Sequence, residues 1–408
     1  MAGNDKARMT NDEGSTNDRI TKQESQRPHR HSGFVIPSSL EIRHSSIRSA
    51  VIATDAQLAE LVRKINAADR VALDTEADSL HSYREKLCLL QISAPSTGAK
   101  CGEDDFIVDP LRNLDLQPLR HALEPREIVL HAADYDLRML RRGLNFTASK
   151  IFDTVVAARL LGIREFSLGA LVKRFFNVEL HKHSQKANWA LRPLPTRMLQ
   201  YAVDDVHYLL PLAAKLQEEL ARIQRHDWFR QSCGRAIELA AAERERIQDE
   251  LWRIGGAGAL DSHTGAVLRA LWQWREAEAE MADRPPFHIL QNRELLKAAE
   301  SFISGEVPDY KYFSARRRQT FREAAKSALQ SPQSEWPVMR RRSGSRPIAE
   351  MRRRADQLRE RRDKAAEQLG LERSFIASRG ALEAIAVDPA RARALLVPWQ
   401  RELIGIKE

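Results

Sequence analysis

Polar residues fill the first stretch of the chain and apolar periodicity begins only near Ala50. Residues 1–46 are rich in Asn, Asp, Ser, Arg and His, a composition that predicts a disordered extension. A short strand is predicted over 51–53. Thr54 with Gln57 three residues on predicts a helical capping box, and Leu58, Leu61, Val62 and Ile65 follow at helical spacing. Apolar runs at 70–76 (RVALDTE), 86–93 (KLCLLQIS), 105–109 (DFIVD) and 127–131 (EIVLH) predict strands, with a helix over 116–123. Helical spacing then takes over, at 134–142, 154–161, 167–176 and in one long helix from 196 to about 223. Consecutive strands followed by interleaved helices predict an α/β fold with a mixed sheet. From Cys233 onward the periodicity is helical, interrupted by Gly255, Gly256 and Gly258 and by the Pro- and Ser-containing stretch 330–347. The expected division is an extension (1–46), an α/β domain (47–224), a helical linker (225–262) and two helical modules (263–332 and 346–408).

Composition narrows the class. Hydrophobic residues make up 43% of the 408, enough for a sizeable core. Lys and Arg outnumber Asp and Glu by 65 to 56, a formal net charge of +9. Such a balance suits a polyanionic partner, though it supplies only non-specific attraction. Cys88, Cys101 and Cys233 are scattered and include no CxxC pair. That excludes a disulfide framework and a zinc cluster, and predicts a reducing compartment. No apolar run approaches the roughly 20 residues needed to span a bilayer, and no apolar signal core opens the chain. The expectation is a soluble, cytoplasmic protein with no membrane association.

Candidate chemistry concentrates in three acidic segments. In Leu73-Asp74-Thr75-Glu76 the two acids end an apolar strand and, two residues apart, share one face. Carboxylates so placed repel each other and lose hydration, which a divalent cation relieves; a lone D-x-E is also compatible with a solvated strand end. In His131-Ala-Ala-Asp134-Tyr-Asp136 a strand gives way to a helix. Asp134 is placed to cap that helix, and Asp136, in the first turn, can face the strand ends. In Tyr201-Ala-Val-Asp204-Asp205 the Tyr and Asp205 stand four apart on one helix face, while Asp204 points about 100° away.

Together these segments resemble the DEDD exonucleases of the Y-x-x-x-D subclass, and within them the ribonuclease D family. The likeness runs from about 50 to 220. It includes Tyr83, L-x-L-L-Q-I-S (87–93), I-V-D-P (107–110), H-A-x-x-x-D-L (131–137), F-D-T (152–154), N-W-x-x-R-P-L (188–194) and Y-A-x-x-D-V-x-Y-L-L-P (201–211). One position departs from the family pattern, Asn188 standing before Trp189 where Asp is usual.

The resemblance implies a ribonuclease H-like exonuclease fold and two divalent ions, Mg²⁺ or Mn²⁺, the hard cations that oxygen ligands suit. It implies that Asp74 bridges the ions and that Glu76 and Asp205 complete the site of the one holding the attacking water. Asp136 would hold the second, and Tyr201 would orient the water. The implied activity is 3′→5′ exoribonuclease, releasing nucleoside 5′-monophosphates from single-stranded RNA ends, with transfer RNA precursors as substrates. No obligate protein partner is evident.

The helical segments extend the likeness. Trp274-Arg275-Glu276 and Pro285-Pro286-Phe287-His288-Ile289-Leu290 resemble the HRDC domain that follows the nuclease in this family, and 346–408 resembles its more divergent second copy. The Trp and Leu residues of the first module are expected in the core. Three arginine clusters stand out: Arg316–Arg318, Arg352–Arg354, and Arg340, Arg341 and Arg342. The last lies in a linker with little compensating acid and is the candidate RNA phosphate contact. Two rival functions remain open from sequence: a 3′→5′ DNA exonuclease, since the acids do not separate ribose from deoxyribose, and a catalytically weak RNA-binding scaffold.

Overall fold

A computed structural model describes residues 51–96, 102–180, 184–242, 250–339 and 349–406. The 1–46 extension, Cys101 and the Arg340–Arg342 cluster lie outside the described residues. Among the described residues six strands form one sheet: β1 (Val51–Ile52), β2 (Arg70–Ala77), β3 (Leu87–Pro95), β4 (Glu103–Val108), β5 (Glu127–Leu130) and β6 (Lys150–Asp153), ordered β1-β4-β3-β2-β5-β6. β3 runs antiparallel to β2 and β4, and the other pairings are parallel. The sheet is therefore mixed, as the alternation of elements predicts. β3 is buried at every position but its last, which is why its sequence is almost continuously apolar.

Helices α1 (Asp55–Asn66), α2 (Gln117–Leu123), α3 (Asp134–Leu144), α4 (Thr154–Leu160), α5 (Leu168–Phe176), α6 (Thr196–His207), α7 (Leu209–Arg222) and α8 (His226–Ala241) accompany the sheet. The capping box at Thr54 forms as predicted, with Thr54 Oγ1 accepting from the Gln57 N–H and Gln57 Oε1 from the Thr54 N–H. Two expectations need correction. The long helix predicted from 196 to 223 is two, broken at Tyr208. Pro211 lacks the N–H that would reach back to His207 and disfavours helical geometry at the residue before it, so it is tolerated only in the first turn of a new helix. Asp134 does not cap α3; it is that helix's first residue and pairs with Arg138 at 2.8 Å. β6, with an exposed Lys150 and only Ile151 and Phe152 as its apolar residues, is not predicted as a strand.

The remaining helices are α9 (Ser262–Met281), α10 (Pro286–Ile289), α11 (Asn292–Ile303) and α12 (Ala315–Leu329), then α13 (Ala349–Leu369), α14 (Arg373–Ile376), α15 (Arg379–Val387), α16 (Ala392–Leu395) and α17 (Pro398–Leu403). α9 to α12 enclose their own core, with Leu268, Leu271, Trp274, Leu295 and Phe321 buried together. α13 to α17 share the core of the α/β layer instead: Leu358, Leu382, Trp399 and Ile404 belong to the cluster containing Leu73, Leu140 and Leu216. Trp399 stacks on Trp228 of α8 at 5.0 Å and donates from its indole to Ser232 Oγ. Arg316 and Arg317, read from sequence as phosphate contacts or a salt-bridged face, bind the buried Glu278 at 2.7 and 3.0 Å, and Arg318 binds Asp309 at 2.8 Å. Arg316 and Arg317 thus fasten α12 to α9, and Arg318 ties α12 to the loop before it. Among the described residues no helix is long and apolar enough to cross a membrane.

Candidate metal centre

β2 is a central strand, and its alternation turns Asp74 and Glu76 to the same face, the one α6 covers. α6 brings Asp205 to them. One carboxylate oxygen from each of Asp74, Glu76 and Asp205 lies within 4.8 Å of the other two. Tyr201, one turn earlier on α6 and 8% exposed, donates its hydroxyl to Asp205. Its ring lies 6.1 Å from that of Trp189, which is itself buried.

Asp136 stands beside this trio and is held differently. It is buried in the first turn of α3, where its Oδ1 accepts from the Thr75 N–H at 3.1 Å and from Thr75 Oγ1 at 2.5 Å. Thr75, the middle residue of D-T-E, points to the opposite face of β2 from its neighbours and so ties the strand to the helix. The start of α3 is fixed by Asp153, at the end of β6, whose carboxylate accepts from the N–H groups of Ala132 and Ala133 and also caps α4.

The carboxylates burden one another. Burial, then the charges of Asp136, Asp205 and Glu76, pushes Asp74 well above the usual carboxylate range. Glu76 is pushed up to about 9 by burial, then by Asp205 and Asp136. Burial raises Asp136 to about 7 against the pull of the Thr75 donors, and Asp205 to about 6 against the Tyr201 hydroxyl. Tyr201 is itself raised, first by burial and then by Asp205. Four acids that resist ionising together, with oxygen donors converging, are the chemistry a hard divalent cation satisfies.

Supporting residues that the sequence matched without assigning a role become legible here. Asp109, of I-V-D-P, is 1% exposed and receives a two-pronged bond from Arg192 at 2.6 and 2.7 Å. Arg192 also donates to the carbonyls of Trp189 and Cys88, so this clamp holds the loop behind Tyr201 against β3. Asn188 Oδ1 accepts from the Ala190 N–H at 3.1 Å, a turn that Asp would make equally well. Beyond β2, Asp78 is fully buried and collects Ser82 Oγ, the Lys86 N–H and the Lys86 ammonium. The loop it orders reaches the helical module: the Tyr83 N–H bonds Asp283 Oδ1 at 3.1 Å and Arg84 pairs with Glu280.

A 3′-5′ exonuclease family model matches residues 49–221, and an HRDC domain model matches residues 264–304. A ribonuclease D from Pseudomonas paraeruginosa is 31% identical over 300 residues, covering 70% of this chain and 76% of that protein. The chain belongs to the ribonuclease D family. Another ribonuclease D, from Sphingobium indicum, is 32% identical over 247 residues, 59% of this chain; the match spans only 61% of that relative's length. The crystal structure of Escherichia coli RNase D, described as an exoribonuclease involved in structured RNA processing, superposes with a TM-score of 0.67 at 22% identity, covering 88% of this chain and 97% of that one. That superposition shows a common fold. For this ribonuclease D family member the fold implies divalent metal, and Asp74, Glu76 and Asp205 form an acidic cluster that could hold an ion.

Proposed function

We propose that this protein is a 3′→5′ exoribonuclease that removes nucleotides singly from RNA ends as nucleoside 5′-monophosphates. The observation that carries the reading is the convergence of Asp74, Glu76 and Asp205 within 4.8 Å, with the Tyr201 hydroxyl bonded to Asp205. Asp74, Glu76 and Asp205 would hold one ion and Asp74 with Asp136 a second, Mg²⁺ or Mn²⁺ in each case. Bound there, such a pair supplies charge neutralisation on the phosphate, a more acidic water and relief of charge on the leaving oxygen.

The chain's own groups set the geometry. The Thr75 donors keep one Asp136 oxygen occupied and leave the other to the site. The Tyr201 phenol, raised out of the working pH range, stays protonated. It therefore orients the attacking water by hydrogen bonding and does not act as a base. Water oxygen attacks phosphorus, the P–O3′ bond breaks, and the shortened RNA leaves with a 3′ hydroxyl. Arg340, Arg341 and Arg342 would add phosphate contacts along the strand. Transfer RNA 3′ ends and RNA under turnover are the expected substrates.

A 5′-labelled single-stranded RNA and the matching DNA, each incubated with Mg²⁺, Mn²⁺ or EDTA, test the proposal, with Asp205→Asn as control. The expected result is a one-nucleotide ladder on RNA, abolished by EDTA and by the substitution. A ladder mainly on DNA would instead assign the chain to DNA repair chemistry. RNA retention without cleavage would make it a scaffold.

A further inference from the structure

The sheet face beneath α6 carries polar side chains that the mechanism above leaves unused. Gln91, on β3, is 0% exposed, and neither its amide oxygen nor its amide nitrogen has a hydrogen-bond partner among the described residues. Ser93, two positions along, is equally buried with its Oγ unpartnered. The strand register sets Gln91 directly opposite Asp74, and Ser93 opposite Ala72 and Asp105. Side chains directly opposite in an antiparallel pair share a face with Cβ atoms about 4.5–5.5 Å apart. Gln91 therefore stands beside Asp74, among Leu89 and Ile107, which pack against Tyr201 and Ala202.

A fully buried amide in a sheet centre is retained where something polar engages it; otherwise an apolar side chain of the same volume serves better. Asp74 receives a backbone hydrogen bond from Thr75, which leaves most of the lone-pair positions of its two oxygens free. We propose that Gln91 is a positioning residue of the metal centre: its amide N–H group donates to the Asp74 carboxylate, through at most one ordered water, and fixes which oxygen faces the cation. The inference rests on reading Asp74, Glu76 and Asp205 as a divalent-cation site. Hydrogen-bond partners of ligating carboxylates orient them, and losing such a partner weakens metal binding 10–100-fold in general.

The test is a calorimetric Mn²⁺ titration of the full chain without RNA, comparing the parent with Gln91→Met, which matches the volume and removes both polar atoms. Binding at least about tenfold weaker, with a melting temperature in EDTA equal to the parent's or higher, is the expected result. Parent-like Mn²⁺ affinity in Gln91→Met would overturn the proposal and leave Gln91 a packing residue. Should that chain fail to fold, the parent decides: in ¹⁵N-labelled protein the Gln91 side-chain amide resonances must move on adding Mg²⁺, and resonances that stay put refute the role. A parent chain that binds no Mn²⁺ at all overturns the metal-centre reading itself, an outcome visible in the parent arm alone.

Discussion

Thr75→Val isolates the tie between β2 and α3 without changing side-chain volume. The substitution removes the Oγ1 hydrogen bond at 2.5 Å to Asp136 Oδ1 and leaves the backbone N–H bond at 3.1 Å in place. A hydrogen bond to a charged acceptor contributes about 1.5–3 kcal/mol, and one pKa unit corresponds to about 1.36 kcal/mol. Asp136, already near 7, should therefore move up by roughly one to two units. In the pH dependence of kcat/KM on labelled RNA, the acidic limb shifts to higher pH by that amount. Bound cations lower the midpoint in parent and variant alike, so the shift between them is the quantity to read. Below both midpoints activity falls on the order of tenfold, and it recovers once the pH exceeds them. Profiles that superimpose, or a loss equal at every pH, would refute the idea that Thr75 acts by keeping Asp136 ionised.

Three further outcomes follow from the same geometry. Glu76, Asp136 and Asp205, raised to about 9, 7 and 6, bind more protons folded than unfolded; metal-free protein should thus lose stability as pH rises from about 4 to 9, and Mg²⁺ should raise the melting temperature more at pH 8 than at pH 5. Tyr201→Phe keeps the ring against Trp189 but removes the hydroxyl, so kcat should fall about 10²-fold with Mn²⁺ affinity within a few-fold of the parent's in the same titration. Arg192→Leu leaves Asp109, whose side chain is 2% exposed, with only the Leu111 N–H at 3.1 Å and the half-exposed Arg112 at 3.3 Å, and should cost about 2–4 kcal/mol in denaturant unfolding, whereas Arg84→Ala, at the exposed pair with Glu280, should cost under about 1 kcal/mol.

Strands carried by alternation or by unbroken apolar runs were legible in the sequence because β2 to β5 have one or both faces buried. D-x-E on a strand and Y-x-x-x-D on a helix each place two groups on one face by periodicity, but it was the resemblance to the ribonuclease D family that joined them, with Asp136, into one candidate site. The contacts that hold them in place were not legible. Thr75 is an ordinary strand residue until α3 lies across it, and Asp153 is one acid among many until the N–H groups of Ala132 and Ala133 arrive. The clamp of Arg192 on Asp109 joins residues far apart in the chain, and local periodicity carries no trace of such pairings. The same blindness placed a cap at Asp134, where propensity favours one, although Asp153 does the anchoring from another strand. The break at Tyr208 could have been read from Pro211, a local signal outweighed by the apolar stripe running through it.

The stacking of Trp399 on Trp228 has a bearing on how the chain is made. α8 emerges from the ribosome together with the end of the α/β layer, but its aromatic partner follows roughly 170 residues later, on the order of ten to forty seconds at typical synthesis rates. Until then the apolar surface that α13 to α17 will cover is open to solvent and to other nascent chains. The nuclease layer is translated early yet is completed only after α13 to α17 have been made. A premature stop ahead of α17 would therefore weaken the catalytic layer itself, although every catalytic acid had already been synthesised.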